Sequence, residues 1–169
     1  EMFSCWDEGE VPYCSVDNIL YFDTPKPCIV VGVVKGDEIL LLKQSYLYKN
    51  SKVLLCGYIA NNEKAEDTVI REVKEETGLT IYDPLLCGME EYKADNNDER
   101  YLMLFYKTDK FEGELKSSKE GKVFWINKDD LLKYELSLDL DRIYKIMTDD
   151  SLSELIYEYK NGEYISYIK

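Results

Sequence analysis

Residues 57–79 read GYIANNEKAEDTVIREVKEETGL, and the fold turns on how this stretch is parsed. From Ala65 onward, Ala65, Val69 and Val73 recur at every fourth position with Ile70 alongside, which is the period of one apolar helix face. Gly78 follows the last turn. Lacking a Cβ, it takes the left-handed conformation that ends a helix, with Leu79 placed to fold back apolarly in a Schellman end. The stretch is therefore predicted to be a loop, a helix and a capping glycine.

On that helix Glu72, Glu75 and Glu76 fall within an arc of about 100°. Like charges at these spacings cost roughly 0.2–0.5 kcal/mol each, and they sit near the carboxyl end, where the helix dipole also disfavours anions. A hard divalent cation offsets both penalties, so the cluster predicts a Mg²⁺ site, with Mn²⁺ as a substitute. Arg71 precedes Glu75 by four residues, the weaker order for a helical ion pair, and is expected to partner Glu63 in the preceding loop. The competing account is a solvated acidic face. The longer pattern weighs against it: Gly57, Glu63, Arg71, Glu72, Glu75, Glu76 and Gly78 are seven fixed letters. At about one in fifteen per letter they coincide by chance on the order of 10⁻⁸ per starting position.

Outward from this stretch, Ile29 to Val34 and Ile39 to Lys43 read as strands joined by a turn at Lys35-Gly36-Asp37-Glu38. Val53 to Leu55, Leu85 to Tyr92, Tyr101 to Thr108 and Lys122 to Ile126 read as further strands, with a turn at Asp95-Asn96-Asn97-Asp98. Asp129 to Tyr134 and Leu140 to Met147 read as helical. Ile156 to Tyr159 and Tyr164 to Ile168 flank Asn161-Gly162, a type I′ hairpin signal. Residues 1–27, punctuated by Gly9, Pro12, Pro25 and Pro27, read as an irregular extension leading into one domain over 28–169. The order of elements predicts an α/β sandwich with a mixed sheet.

Composition narrows the chemistry. The 169 residues contain no histidine, which removes imidazole-based triads, dyads and zinc hydrolysis. A net charge of −13 repels a phosphate backbone or an anionic membrane surface, so neither a nucleic-acid polymer nor a membrane is an expected partner. A small phosphorylated ligand is still admitted if divalent cations mediate. No apolar run reaches the length of a membrane span and no signal-peptide layout precedes Cys28, which leaves the cytoplasm as the expected compartment. Cys5, Cys14, Cys28, Cys56 and Cys87 are odd in number and without a C-x-x-C pair. They read as free thiols rather than a disulfide framework or a zinc knuckle.

Residues 57–79 resemble the Nudix box of the MutT-like pyrophosphohydrolases at every defining position. The resemblance implies the Nudix fold, an α/β/α sandwich with a central mixed sheet. It also implies Mg²⁺-dependent hydrolysis of a nucleoside diphosphate linked to another group. Carried onto this chain, it marks Glu72, Glu75 and Glu76 as metal ligands, with Glu72 and Glu75 also catalytic. Gly57, Glu63, Arg71 and Gly78 become the structural frame. The carbonyl of Cys56, where the family usually has glycine, is a further ligand candidate. Glu120 resembles the carboxylate that such enzymes draw from outside the box as general base, with Glu90, Glu91 and Glu99 as alternates.

Substrate is less sharply marked. Residues 100–145 resemble the MutT branch that removes oxidised purine nucleotides of the 8-oxo-dGTP type, which makes Asp139 or Asp141 the reader of the purine edge. Lys43 and Arg100 are candidate phosphate contacts, with Lys52 behind them; Trp125 and Tyr144 are candidate stacking partners or, more simply, core residues. NADH, ADP-ribose and nucleotide-sugar hydrolysis stay open, as does a non-catalytic nucleotide sensor. The complete set of box carboxylates argues against the sensor. The tyrosine-rich terminal hairpin is a candidate contact for a partner, including a second copy in a homodimer.

Overall fold

The computed structural model describes residues 4–6, 9–22, 24–44, 52–93, 99–136, 139–160 and 163–169. The expected turns at 95–98 and 161–162 lie outside these residues. In chain order the strands are β1 (Ser4–Trp6), β2 (Gly9–Val11), β3 (Tyr13–Cys14), β4 (Ile19–Leu20), β5 (Lys26–Lys35), β6 (Glu38–Gln44), β7 (Lys52–Val53) and β8 (Leu55–Tyr58). Helix α1 (Ala65–Thr77) follows, then β9 (Thr80–Tyr82), β10 (Leu85–Lys93), β11 (Arg100–Thr108), β12 (Lys110–Glu112) and β13 (Gly121–Asn127). A 3₁₀ helix (Lys128–Lys133), α2 (Leu140–Thr148), β14 (Glu154–Lys160) and β15 (Glu163–Ile168) complete the chain.

One mixed sheet runs β13-β6-β5-β11-β10-β14-β15, with β7 paired to β6 and β8 to β5. The β5–β11 and β10–β14 pairs are parallel, and the other pairs in this sheet are antiparallel. Alternation along each strand sends side chains to opposite faces. Ile29, Val31 and Val33 join Leu40, Leu42, Leu55 and Val123 in a core that also takes Val69 and Val73 of α1. Val30, Ile39, Leu41, Leu54, Phe105 and Ile126 point the other way, to Leu140, Ile143, Ile146 and Met147 of α2. The α/β/α layering follows directly: one sheet buried on both faces, each face closed by a helix.

Some expectations shift. The strand expected over 53–55 is divided at Leu54 because the chain changes partner there, from β6 to β5. This places β7 and β8 in the wedge between β6 and β5. The stretch read as irregular contains two short ladders, β1–β2 and β3–β4. The sequence signal also missed β9 and β12, which pair with each other over three residues each, a length too short for alternation to register. The helix expected over Asp129 to Tyr134 is a 3₁₀ helix over Lys128–Lys133, capped by the Asn127 carboxamide accepting from the Asp129 N–H.

Candidate active site

Helix α1 begins where its own side chains tie down the preceding loop. The Asp67 carboxylate accepts from the Lys64 N–H at 3.4 Å, and the Thr68 hydroxyl donates to Glu63 Oε2 at 2.9 Å. At the other end Gly78 has φ 75° and its N–H donates to the Lys74 carbonyl at 3.0 Å. This is the single-bond left-handed cap rather than the expected Schellman end, because the Leu79 N–H is taken by the Thr77 hydroxyl. Leu79 is buried as expected. Ile70, read as part of the apolar face, is 37% exposed. Thr68, Glu76 and Thr77 are buried beside Val69 and Val73 instead.

Arg71 does what its position against Glu63 implies and more. Its Nε donates to Glu63 Oε1 at 2.6 Å and a terminal nitrogen to Glu63 Oε2 at 2.9 Å, the bidentate arrangement that a planar guanidinium favours. Its other terminal nitrogen reaches Glu72 at 2.8 Å and Glu75 at 3.3 Å. The Arg71 hydrogen bonds, helped by the Thr68 hydroxyl, hold the Glu63 carboxyl down to about 2. Arg71 itself is raised by Glu63 first, then by Glu72.

The three box carboxylates, expected on one small surface, separate by environment. Glu75 leaves 61% of its side chain exposed and turns to Arg71. Glu72 is half-buried; burial raises its pKa, with the Arg71 hydrogen bond opposing. It lies across Gly57 so closely that a Cβ there would stand 2.1 Å from Glu72 Oε1, so only glycine at 57 leaves room for this placement. Glu76 is 7% exposed and its Oε2 has no hydrogen-bond partner among the described residues. Burial, then the charges of Glu72, Glu120 and Glu75, push Glu76 up to about 8.

Glu72, Glu76 and Glu120 line one cavity of about 570 Å³ together with Cys56, Gly57, Gln44 and the rings of Tyr58, Tyr92 and Tyr101. Glu120 is held there by backbone geometry. A Cβ on the next residue, Gly121, would stand 2.1 Å from the Lys43 carbonyl oxygen, so β13 sits hard against β6 at this point. Cys56 is exposed, and its backbone carbonyl is a harder oxygen donor than its thiol.

No three acidic or cysteine side chains among the described residues are already drawn together as a ligand set, since Arg71 engages Glu72 and Glu75. The donors present still fit a hard divalent cation. They are oxygens, and one of them is buried, without a partner among the described residues and repelled by its acidic neighbours.

Lys43, Arg100, Asp139 and Asp141 are not among the described residues lining the cavity. Lys43 alternates to the other face of β6 from Leu42 and Gln44 and is exposed. Arg100 pairs with Glu91 across β10 and β11. Asp139 accepts from the Tyr157 hydroxyl and pairs with Arg142 at 3.4 Å, while Asp141 is exposed in the first turn of α2. Trp125 packs on Phe111, 5.3 Å between ring centroids, and Tyr144 packs against the α2-side core, so both are core residues. Glu99 accepts from Tyr101 and pairs with Lys26. Sequence reasoning missed Gln44 and the tyrosines Tyr58, Tyr92 and Tyr101. Gln44 carried a signal: it stands where the apolar row Leu40, Leu42 calls for another apolar residue.

A Nudix-domain family model matches residues 25–146, and the chain belongs to that family. Among curated proteins, the NAD-capped RNA hydrolase NudC of Stutzerimonas stutzeri is 28% identical over 103 residues, 61% of this chain and 36% of that protein. NudC of Vibrio vulnificus is 28% identical over 120 residues, 70% of this chain and 44% of that protein. The chain thus spans about two-fifths of the length of these relatives. Among solved structures, the MutT protein of Bacillus halodurans superposes with a TM-score of 0.70 at 25% identity, covering 85% of this chain and 97% of that one. The Nudix domain of Shewanella oneidensis NrtR, solved with ADP ribose, gives 0.65 at 15% identity over 75% of this chain and 88% of that one, a likeness of fold.

Proposed function

We propose that this chain is a Mg²⁺-dependent pyrophosphohydrolase acting on a nucleoside diphosphate linked to another group. The observation that carries the proposal is the buried Glu76 carboxylate, whose Oε2 has no partner among the described residues, in a cavity shared with Glu72 and Glu120. Glu72, Glu75, Glu76 and the Cys56 carbonyl would hold the cation, with Mn²⁺ as a substitute. When bound, it would neutralise the diphosphate and acidify a water. Glu120 accepts the proton of the water that attacks phosphorus, and the bond from phosphorus to the bridging oxygen breaks. Glu63 and Arg71 fix the start of the helix so that Glu72 and Glu76 keep their places. Burial of Glu76 excludes the bulk water that would otherwise weaken its pull on a cation.

For the linked group, an oxidised purine nucleoside triphosphate is supported by the 25% identity to MutT over most of the chain. A dinucleotide such as NADH, free or as the cap of an RNA, is a second reading, favoured by the NudC relatives. The tyrosines suit either. Tyr92 and Tyr101 are stacked at 5.1 Å and Tyr58 lies 6.5 Å from Tyr101, aromatic surface on which a planar base can rest. A panel of canonical and oxidised nucleoside triphosphates, NADH, ADP-ribose, nucleotide sugars and NAD-capped RNA, assayed with Mg²⁺ or Mn²⁺, tests the proposal. We expect metal-dependent release of a nucleoside monophosphate from one class. No cleavage of any member overturns the reading.

A further inference from the structure

We propose that Gln44 is a positioning residue of this site, its side-chain carbonyl accepting a hydrogen bond from a water of the hydrated divalent cation that Glu76 takes up. This rests on the hydrolase reading above and adds to it a residue outside the Nudix box.

Gln44 ends β6 on the face that Leu40 and Leu42 give to the α1-side core. Its register partner is Gly121, as Val123 is for Leu42 and Trp125 for Leu40. An apolar side chain would complete that row. Gln44 instead buries an amide there: it is 9% exposed, and its Oε1 has no partner among the described residues. The other buried, unpartnered side-chain oxygen among the described residues is Glu76 Oε2, and both residues line the same cavity.

Burying one acceptor without a donor is unfavourable. Two residues with unpartnered acceptors line one cavity, from a strand end and a helix, and a single occupant that brings both donors and positive charge would answer both. Ordered water alone would satisfy the amide but leave Glu76 repelled by Glu72 and Glu120. A hydrated divalent cation answers both, presenting O–H donors to the neutral carbonyl and charge to the carboxylate. The close seat of Gly121 on Lys43 fixes Gln44 beside Glu120, so the amide orients water at the residue assigned to take its proton.

The experiment titrates Mn²⁺ into the full chain without nucleotide, reading free Mn²⁺ by electron paramagnetic resonance, for the wild type, Gln44→Met and Gln44→Glu. Gln44→Met keeps the length and removes the acceptor; we expect Mn²⁺ affinity to fall about tenfold, the scale of outer-shell losses. Gln44→Glu keeps an acceptor and should bind at least as tightly as the wild type. Thermal melts of the metal-free variants should place Gln44→Met at or above the wild type. Equal affinity for the two variants, or a loss under twofold in Gln44→Met, overturns the assignment of Gln44 alone. A wild type that takes up no Mn²⁺ overturns both this inference and the hydrolase reading.

Discussion

Helices α1 and α2 cover opposite faces of the same sheet and differ in what they lay against it. α2 closes its face with Leu140, Ile143, Ile146 and Met147, a plain apolar stripe. α1 starts the same way with Val69 and Val73, then buries Glu76 at the next position of its period. Its buried threonines are satisfied, Thr68 by Glu63 and Thr77 by the Val73 carbonyl at 2.6 Å. Glu76 is not. Burial of a polar group that finds its partner within the fold serves stability; burial of one that does not marks a place kept for something else.

The sharpest way to break this contrast is Glu76→Gln, which keeps the volume and removes the charge. We expect Mg²⁺-dependent hydrolysis to be abolished while the fold persists, since the amide relieves repulsion from Glu72 and Glu120. The pH dependence separates relief from damage. Burial and its acidic neighbours push Glu76 from the ordinary carboxyl value of 4.5 up to about 8. Its protonated form therefore contributes stability that is whole below pH about 4.5 and lost as pH rises through about 8. Metal-free melting curves of the wild type should fall across this window, and those of Glu76→Gln should fall less. Parallel curves would mean that Glu76 titrates normally and that its burial carries no charge penalty.

Most of this contrast was legible in the sequence. The fixed letters from Gly57 to Gly78 gave the loop, the helix and its end, and the Arg71–Glu63 partnership followed from charge order. What stayed hidden was direction. A 100° arc treats Glu72, Glu75 and Glu76 alike, and only packing against β8 shows that Glu75 faces water with Arg71 while Glu76 faces the sheet. Period breaks were the readable trace: Glu76 after Val69 and Val73, Gln44 after Leu40 and Leu42. Asp139 and Asp141 lie off the described cavity wall for a similar reason. The start of α2 is near the cavity through Leu140 and Ile143, but helical geometry turns the adjoining aspartates toward Tyr157, Arg142 and solvent.

A smaller effect tests whether Glu120 belongs with the α1 face. It lines the cavity and its charge raises Glu76, so Glu120→Gln should lower turnover at least about a hundredfold, the scale of general-base contributions, with little change in substrate KM. A loss under threefold would reassign proton acceptance to another carboxylate, with Glu90, Glu91 and Glu99 next in line.

Glu90 offers the mildest and most discriminating variant, because it is the α2-face counterpart of Glu76. It is buried on β10 opposite Met103 and Leu155, and burial, then the Asp139 charge, push it up to about 7. It differs from Glu76 in company: one acidic neighbour rather than three, and no place in the cavity wall. Its raised pKa works in the same sense, so the stability it contributes is lost as pH rises through about 7. Glu90→Gln should therefore stabilise the metal-free protein above pH 7 while leaving turnover within threefold of wild type. A tenfold loss of turnover with the fold intact would show that a perturbed carboxylate on either face serves the chemistry. The distinction would then rest on burial alone, and the convergence of acids around Glu76 would lose its meaning.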